Sequence, residues 1–229
     1  YRGYDLEQRL LRALASGRAR QWRLCVLLTE SLCTHHSWRS VLEQALDGGA
    51  DCIQVREKHL DARALLRRVE EAVACCRPRG ASVIVNDRPD IALLAGADGV
   101  HVGQTDLPVT AVGRQLLVGV STSALAEAQQ AQRDGADYCG VGPMFPTTTK
   151  HKEVIVGPDY LRAYAAWGRL PHLAIGGIGM HNIAVLAQAG AQGVAVSSAV
   201  CGAENPEEAV RRLCAALPEP EARPSAHHG

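Results

Sequence analysis

Neither sign of charge is in excess in this 229-residue sequence: Lys and Arg total 24, and Asp and Glu total 24. Without a basic surplus there is no global footprint for nucleic acid or a membrane surface, so anion binding must come from local charge. Long apolar runs are also missing. The longest are strand-length, short of the ~20 residues a membrane helix needs. No signal peptide stands at the start, which here is Tyr1 rather than Met. The eight cysteines include no C-x-x-C pair with zinc spacing. Several fall inside apolar strand patterns, where a thiol packs as a small hydrophobe. Reduced cysteines in a chain of this size place it in the cytoplasm. These absences predict no nucleic acid and no membrane as partners, with a homo-oligomer open.

Hydrophobic residues make up 47% of the chain, enough for a sizeable core. Short β-rich runs alternate with amphipathic segments. Eight strands are predicted over 24–29, 52–55, 83–86, 99–102, 117–120, 138–142, 173–176 and 193–197. Helical patterns cover 38–46, 62–75, 124–133, 159–167, 183–189 and 206–217. Such alternation predicts parallel pairing and βαβ units. The segments Gly49-Ala50-Asp51, Gly96-Ala97-Asp98, Gly135-Ala136-Asp137 and Gly190-Ala191-Gln192 each precede a strand. Their irregular intervals rule out a solenoid and fit αβ corners on the bottom face of a barrel. The fold expected is α/β: a single (β/α)8 TIM barrel over 23–217, within the usual length of about 200–250 residues. A helical extension over 1–22, with its helix at 5–15, precedes the barrel, and a proline-rich polar tail over 218–229 is expected to be disordered.

Six strands run into polar or glycine-rich tips, and C-terminal strand ends are where such a barrel carries its active site. Gln54, Arg56 and Lys58 alternate with Val55 and Glu57. Period-two geometry sends the first three toward the axis, for a bound anion or for a rim salt bridge to Glu57 or Asp51. Asp87 and Asp106 follow strands beside Asn86 and Gln104. They suit Mg2+, a general acid/base pair, or the cap of a helix begun at Asp106. The loop 142–150 presents Thr147, Thr148, Thr149 and Lys150, hydroxyls and an ammonium that suit phosphate. Gly176-Gly177 and Ser197-Ser198 end the last two strands, where barrels often bind phosphate. His101 alternates inward as a core or a catalytic residue, and His35 and His36 sit on the first loop, where they could cover the mouth.

Five motifs occur in order: Gln-x-Arg-Glu-Lys, Asn-Asp-Arg, Ala-Asp-Gly-Val-His-x-Gly-Gln-x-Asp, Gly-x-Gly-Pro-x-Phe-x-Thr-x-Thr-Lys and Ile-Gly-Gly-Ile. Together they resemble the thiamine phosphate synthase family over about 24–217. The resemblance implies joining of hydroxymethylpyrimidine diphosphate to thiazole phosphate, with release of diphosphate. It implies that the stretch Gln54-Val55-Arg56-Glu57-Lys58, with Asn86, Ser121 and Lys150, holds the pyrimidine diphosphate. Mg2+ would sit on Asp87 and Asp106. Thr147, Thr148, Thr149, Gly177, Ser197 and Ser198 would surround the thiazole phosphate. Arg56, Lys58, Lys150 and Ser121 would act in catalysis. No general base is then required, consistent with the lack of a convincing Ser-His or Cys-His arrangement. Family members often carry a histidine where this chain has Ser123. Thiazole tautomerases share the barrel without joining the substrates and form the alternative, beside a noncatalytic phosphate-ligand barrel.

Overall fold

Alternation by two along each strand sorts side chains between the barrel interior and the surrounding helices. The structure, a computed structural model, describes residues 17, 19–113, 115–147 and 154–218. Eight strands close in chain order into one parallel barrel. They are β1 (Leu24–Leu28), β2 (Cys52–Val55), β3 (Ser82–Asn86), β4 (Gly99–Val102), β5 (Leu117–Thr122), β6 (Tyr138–Val141), β7 (His172–Ile175) and β8 (Gly193–Val196). The ring closes where β1 pairs with β8, Cys25 opposite Ala195. The crossovers hold α1 (Trp38–Asp47), α2 (Ala62–Cys76), α3 (Pro89–Ala95), α4 (Leu125–Arg133), α5 (Gly157–Trp167) and α6 (Ile183–Gln188). After β8 come α7 (Ser198–Cys201) and α8 (Pro206–Ala215). The expected barrel is present, with strand ends shifted by a residue or two.

Two helices escaped the sequence reading. α3 reads as an unbroken apolar run from Ile91 to Ala95 and α7 has only four residues, so neither shows a 3.6-residue period. Between β4 and β5 the described crossover residues hold only the 3-10 turn Val109–Ala111, so Asp106 caps no α-helix. Its carboxylate instead accepts from the Gly103 N–H at 2.8 Å. The helix expected at 5–15, the tail from 219, and Thr148, Thr149 and Lys150 lie outside the described residues.

Two cores result. Outward-facing Val26, Ile53, Val85, Val100, Val118 and Val141 pack beneath the helices. Cys25, Leu27, Cys52, Ile84, Leu117, Tyr138, Leu173 and Ala195 fill the interior. Ala19 and Trp22, grouped by sequence with the extension, join this interior cluster, so the barrel unit begins before residue 23. The Trp22 indole meets Tyr138 edge-on at 5.1 Å and donates to Ser82 Oγ at 3.2 Å. All eight cysteines are free, six of them buried, as expected of thiols that act as packing.

The bottom face gives the Gly-Ala-Asp repeat a physical purpose. Asp51 accepts from the N–H groups of Arg23 and Leu24 at 2.7 and 3.2 Å. Asp98 accepts from Val83 at 2.8 Å, Asp137 from Val118 at 2.9 Å, and Gln192 from His172 at 3.2 Å. Each corner residue therefore seals the start of the preceding odd-numbered strand. A buried amide left unpaired there would cost about 1–3 kcal/mol. The corner glycines Gly49, Gly96, Gly135 and Gly190 have φ of 101°, 67°, 88° and 89°. That left-handed backbone turns the chain from helix to strand and aims the carboxylate.

Candidate active site

The C-terminal strand ends surround an open-mouthed cavity. Gln54 on β2, followed by Arg56 and Lys58, lines it, as period-two geometry requires. Val55 belongs to the outer core, and Glu57 turns outward to accept from the Glu30 N–H at 2.7 Å. Burial raises the pKa of the Glu57 carboxyl. Neither Val55 nor Glu57 lines the cavity. The rim salt bridge offered as an alternative takes another form. Asp51 sits at the opposite end of the barrel, and Lys58 Nζ pairs loosely with Asp87 Oδ2 at 3.9 Å.

Asn86 ends β3, Asp87 follows it, and both line the cavity. Asp87 has φ 62°, the one positive φ among the described non-glycine residues. Such backbone costs of order 1–3 kcal/mol and persists where surrounding contacts enforce it. Here the Asp87 N–H donates to the His101 carbonyl at 2.9 Å, and its carboxylate accepts from Asn86 Nδ2 at 2.6 Å. Asp106 lies on the loop after the neighbouring strand β4, outside the cavity lining. Among the described residues no three His, Cys, Asp or Glu side chains cluster as a metal cage. Of the two carboxylates, Asp87 faces the cavity, and that of Asp106 is bonded to the Gly103 N–H outside its lining.

Across the cavity stand Thr147, Gly176, Gly177, Ser197 and Ser198. Gly177 has φ 64°, and a Cβ there would run into the Pro146 carbonyl oxygen. Only glycine lets the chain leaving β7 pass so close beneath the segment after β6. The Ser197 hydroxyl donates to the Leu27 carbonyl at 2.7 Å across the β8–β1 seam, so its proton is committed. Ser198 opens α7, where the first N–H groups lack intrahelical acceptors.

Ser121 on β5 completes the wall, and Leu27, Ile175 and Ala195 supply an apolar floor that the polar motifs did not reveal. Gln104 Nε2 donates to the Ser121 carbonyl at 2.6 Å and holds that strand end. Ser123 faces away, its N–H and hydroxyl both bonded to the Glu127 carboxylate at 2.6 and 3.1 Å. His101 lines the cavity at 7% exposure and bonds Ser121 Oγ at 2.9 Å and the Tyr138 hydroxyl at 3.1 Å. Its inward parity was legible; its partners were not. His35 and His36 do not line the cavity, and His36 Nε2 instead lies 2.8 Å from the Glu204 carbonyl oxygen.

A closed parallel barrel with polar groups gathered at its C-terminal face is the architecture of a (β/α)8 barrel enzyme. The family pattern described as thiamine monophosphate synthase matches residues 24–200. The thiamine-phosphate synthase of Chloroflexus aurantiacus is 47% identical over 196 residues, 84% of this chain and 91% of that protein. That of Thermosynechococcus vestitus is 42% identical over 227 residues, 96% of this chain and 64% of that longer protein. The solved thiamine phosphate pyrophosphorylase of Pyrococcus furiosus superposes with a TM-score of 0.79 at 33% identity, covering 86% of this chain and 96% of that one. The chain belongs to the thiamine monophosphate synthase family.

Proposed function

We propose that the chain is a transferase that joins hydroxymethylpyrimidine diphosphate to thiazole phosphate, releasing diphosphate and forming thiamine phosphate. The observation that carries this reading is the two-sided cavity. Arg56, Lys58, Asn86 and Asp87 stand on one side, and Gly177 and Ser198 on the other, above an apolar floor. Two phosphorylated substrates need two polar regions, and their rings need an unhydrated surface between them.

In this reading Gln54, Arg56, Lys58, Asn86, Ser121 and Lys150 hold the pyrimidine diphosphate. Val55 and Glu57 belong to the same motif as supports, packing behind it. Thr147, Thr148, Thr149, Gly177, Ser197 and Ser198 surround the thiazole phosphate, where Ser198 and backbone N–H groups supply the donors. Bound Mg2+ would be held by Asp87 and Asp106 and would supply positive charge against the diphosphate oxygens. Arg56, Lys58 and Lys150 stabilise charge growing on the departing diphosphate. The thiazole nitrogen then bonds to the pyrimidine methylene carbon. It carries no proton to be removed, so the residues orient and neutralise without a base. A cytoplasmic location accords with this chemistry, and no described helix is long and apolar enough to cross a membrane.

The test supplies purified protein with both substrates and measures thiamine phosphate, with and without Mg2+. Metal-dependent product is expected. Thiazole isomerisation without joining would favour the tautomerase reading, and binding without turnover the noncatalytic one.

A further inference from the structure

Beneath Ser121 lies a chain of hydrogen bonds running into the barrel. The buried Tyr138 phenol stands 3.1 Å from His101 Nδ1, and His101 Nε2 stands 2.9 Å from Ser121 Oγ. The fold makes space for it. A Cβ at Gly119 would collide with the Tyr138 ring, and one at Gly140 would stand 3.0 Å from His101 Cε1. Trp22 packs edge-on against Tyr138 at 5.1 Å.

That geometry fixes where the protons sit. Burial pushes the Tyr138 pKa well above its ordinary value, so the phenol keeps its proton and must donate it. Among the described residues its hydrogen-bond partner is His101 Nδ1. Were Nδ1 protonated instead, two protons would face one another inside the core and the phenol would lose its acceptor. Nδ1 therefore accepts, which puts the N–H of the ring on Nε2. Nε2–H then donates to Ser121 Oγ. A hydroxyl that accepts from below is left to donate its own proton elsewhere, and Ser121 lines the cavity.

We propose that Tyr138 and His101 are positioning residues that orient the Ser121 hydroxyl as a donor toward a hydrogen-bond acceptor on the substrate, a ring nitrogen or a phosphate oxygen. This rests on the assignment of Ser121 to the pyrimidine diphosphate. The relay restricts Ser121 before substrate arrives, so its bond to the substrate needs no reorganisation.

Two measurements test it. In the intact protein, 15N shifts of the His101 ring, assigned by loss of its signal in His101→Asn, should report the Nε2–H tautomer. An Nδ1–H ring overturns the relay, whatever the variants do. A double-mutant cycle then asks whether Tyr138 acts through Ser121. Tyr138→Phe keeps the ring and should lower kcat/KM about tenfold, the scale of one hydrogen bond of about 1.4 kcal/mol. In a Ser121→Ala background the same change should cost nothing further. Equal losses in both backgrounds overturn the relay while leaving the substrate assignment intact. A silent Ser121→Ala overturns that assignment and the relay with it, although the tautomer would still be read independently.

Discussion

At the bottom of the barrel, Asp51, Asp98, Asp137 and Gln192 each hold a backbone amide within 3.2 Å. At the top, the Lys58 ammonium reaches Asp87 only at 3.9 Å, and the Asp87 backbone sits at φ 62°. Similar residue types thus serve opposite ends. Below, a carboxylate satisfies the chain's own donors and closes the structure on itself. Above, Arg56, Lys58, Asn86 and Asp87 face a cavity instead of closing the start of a strand, which is where a barrel meets its ligand. An acidic residue's role in this fold is set by which end of a strand it occupies.

The largest effect expected from that contrast is at the top. Arg56→Ala should lower kcat/KM by about 10²–10³-fold, the scale of losing one preorganised electrostatic partner, with an unchanged melting temperature. Full activity in the folded variant would place Arg56 outside the site.

A second test uses two buried groups below. Burial raises Asp51 from 3.8 to about 6 and lowers His172 from 6.5 to about 4. The Asp51 contribution to stability is complete below its unfolded pKa and is lost as pH rises through about 6. That of His172 is complete above 6.5 and is lost as pH falls through about 4. Each shift is worth about 3 kcal/mol. The two oppose one another between roughly pH 4 and 6 and nearly cancel. Asp51→Asn should leave a stability that rises with pH across that window, and His172→Gln one that falls. Denaturant midpoints at the two pH values measure the slopes, and slopes of the same sign in both variants would refute the pairing.

Asp98→Ala should destabilise the fold by about 1–3 kcal/mol in urea titrations while kcat of the folded enzyme holds. Asp98→Asn, which keeps an acceptor oxygen, should recover much of that loss. A fall in kcat without a shifted midpoint would erase the division between the ends. The smallest effect should come from Ser197→Ala, because that hydroxyl is spent on the Leu27 carbonyl. About 1 kcal/mol of stability and little affinity for thiazole phosphate should be lost. Ser198→Asp should by contrast weaken thiazole phosphate binding and spare the pyrimidine diphosphate, as calorimetry with each ligand would show.

Much of this was legible because strand parity is a local property. Alternation in Gln54–Lys58 separates Gln54, Arg56 and Lys58 from Val55 and Glu57, and the structure keeps that separation. The Gly-Ala-Asp repeat located the corners, yet the use of each carboxylate was hidden, since its partner amide lies on another strand. The helix Pro89–Ala95 is an unbroken apolar run after Asp90 and so showed no period. The floor formed by Leu27, Ile175 and Ala195 carries no polar signature. Ser121 and His101 stood out as polar residues, but their meeting with Tyr138 was hidden because it is set by the pairing of β4, β5 and β6.

The four bottom seals also bear on the order in which the chain assembles. Each joins residues separated by only 28, 15, 19 or 20 positions, within β1–β2, β3–β4, β5–β6 and β7–β8. The Ser197–Leu27 bond that shuts the ring spans 170. Loop-closure entropy favours the short spans first. Two-strand quarters would then form early, and annealing of β8 to β1 would come last. Pulse-labelled hydrogen exchange during refolding should find the Val83 and Val118 amides protected before those at the β1–β8 seam.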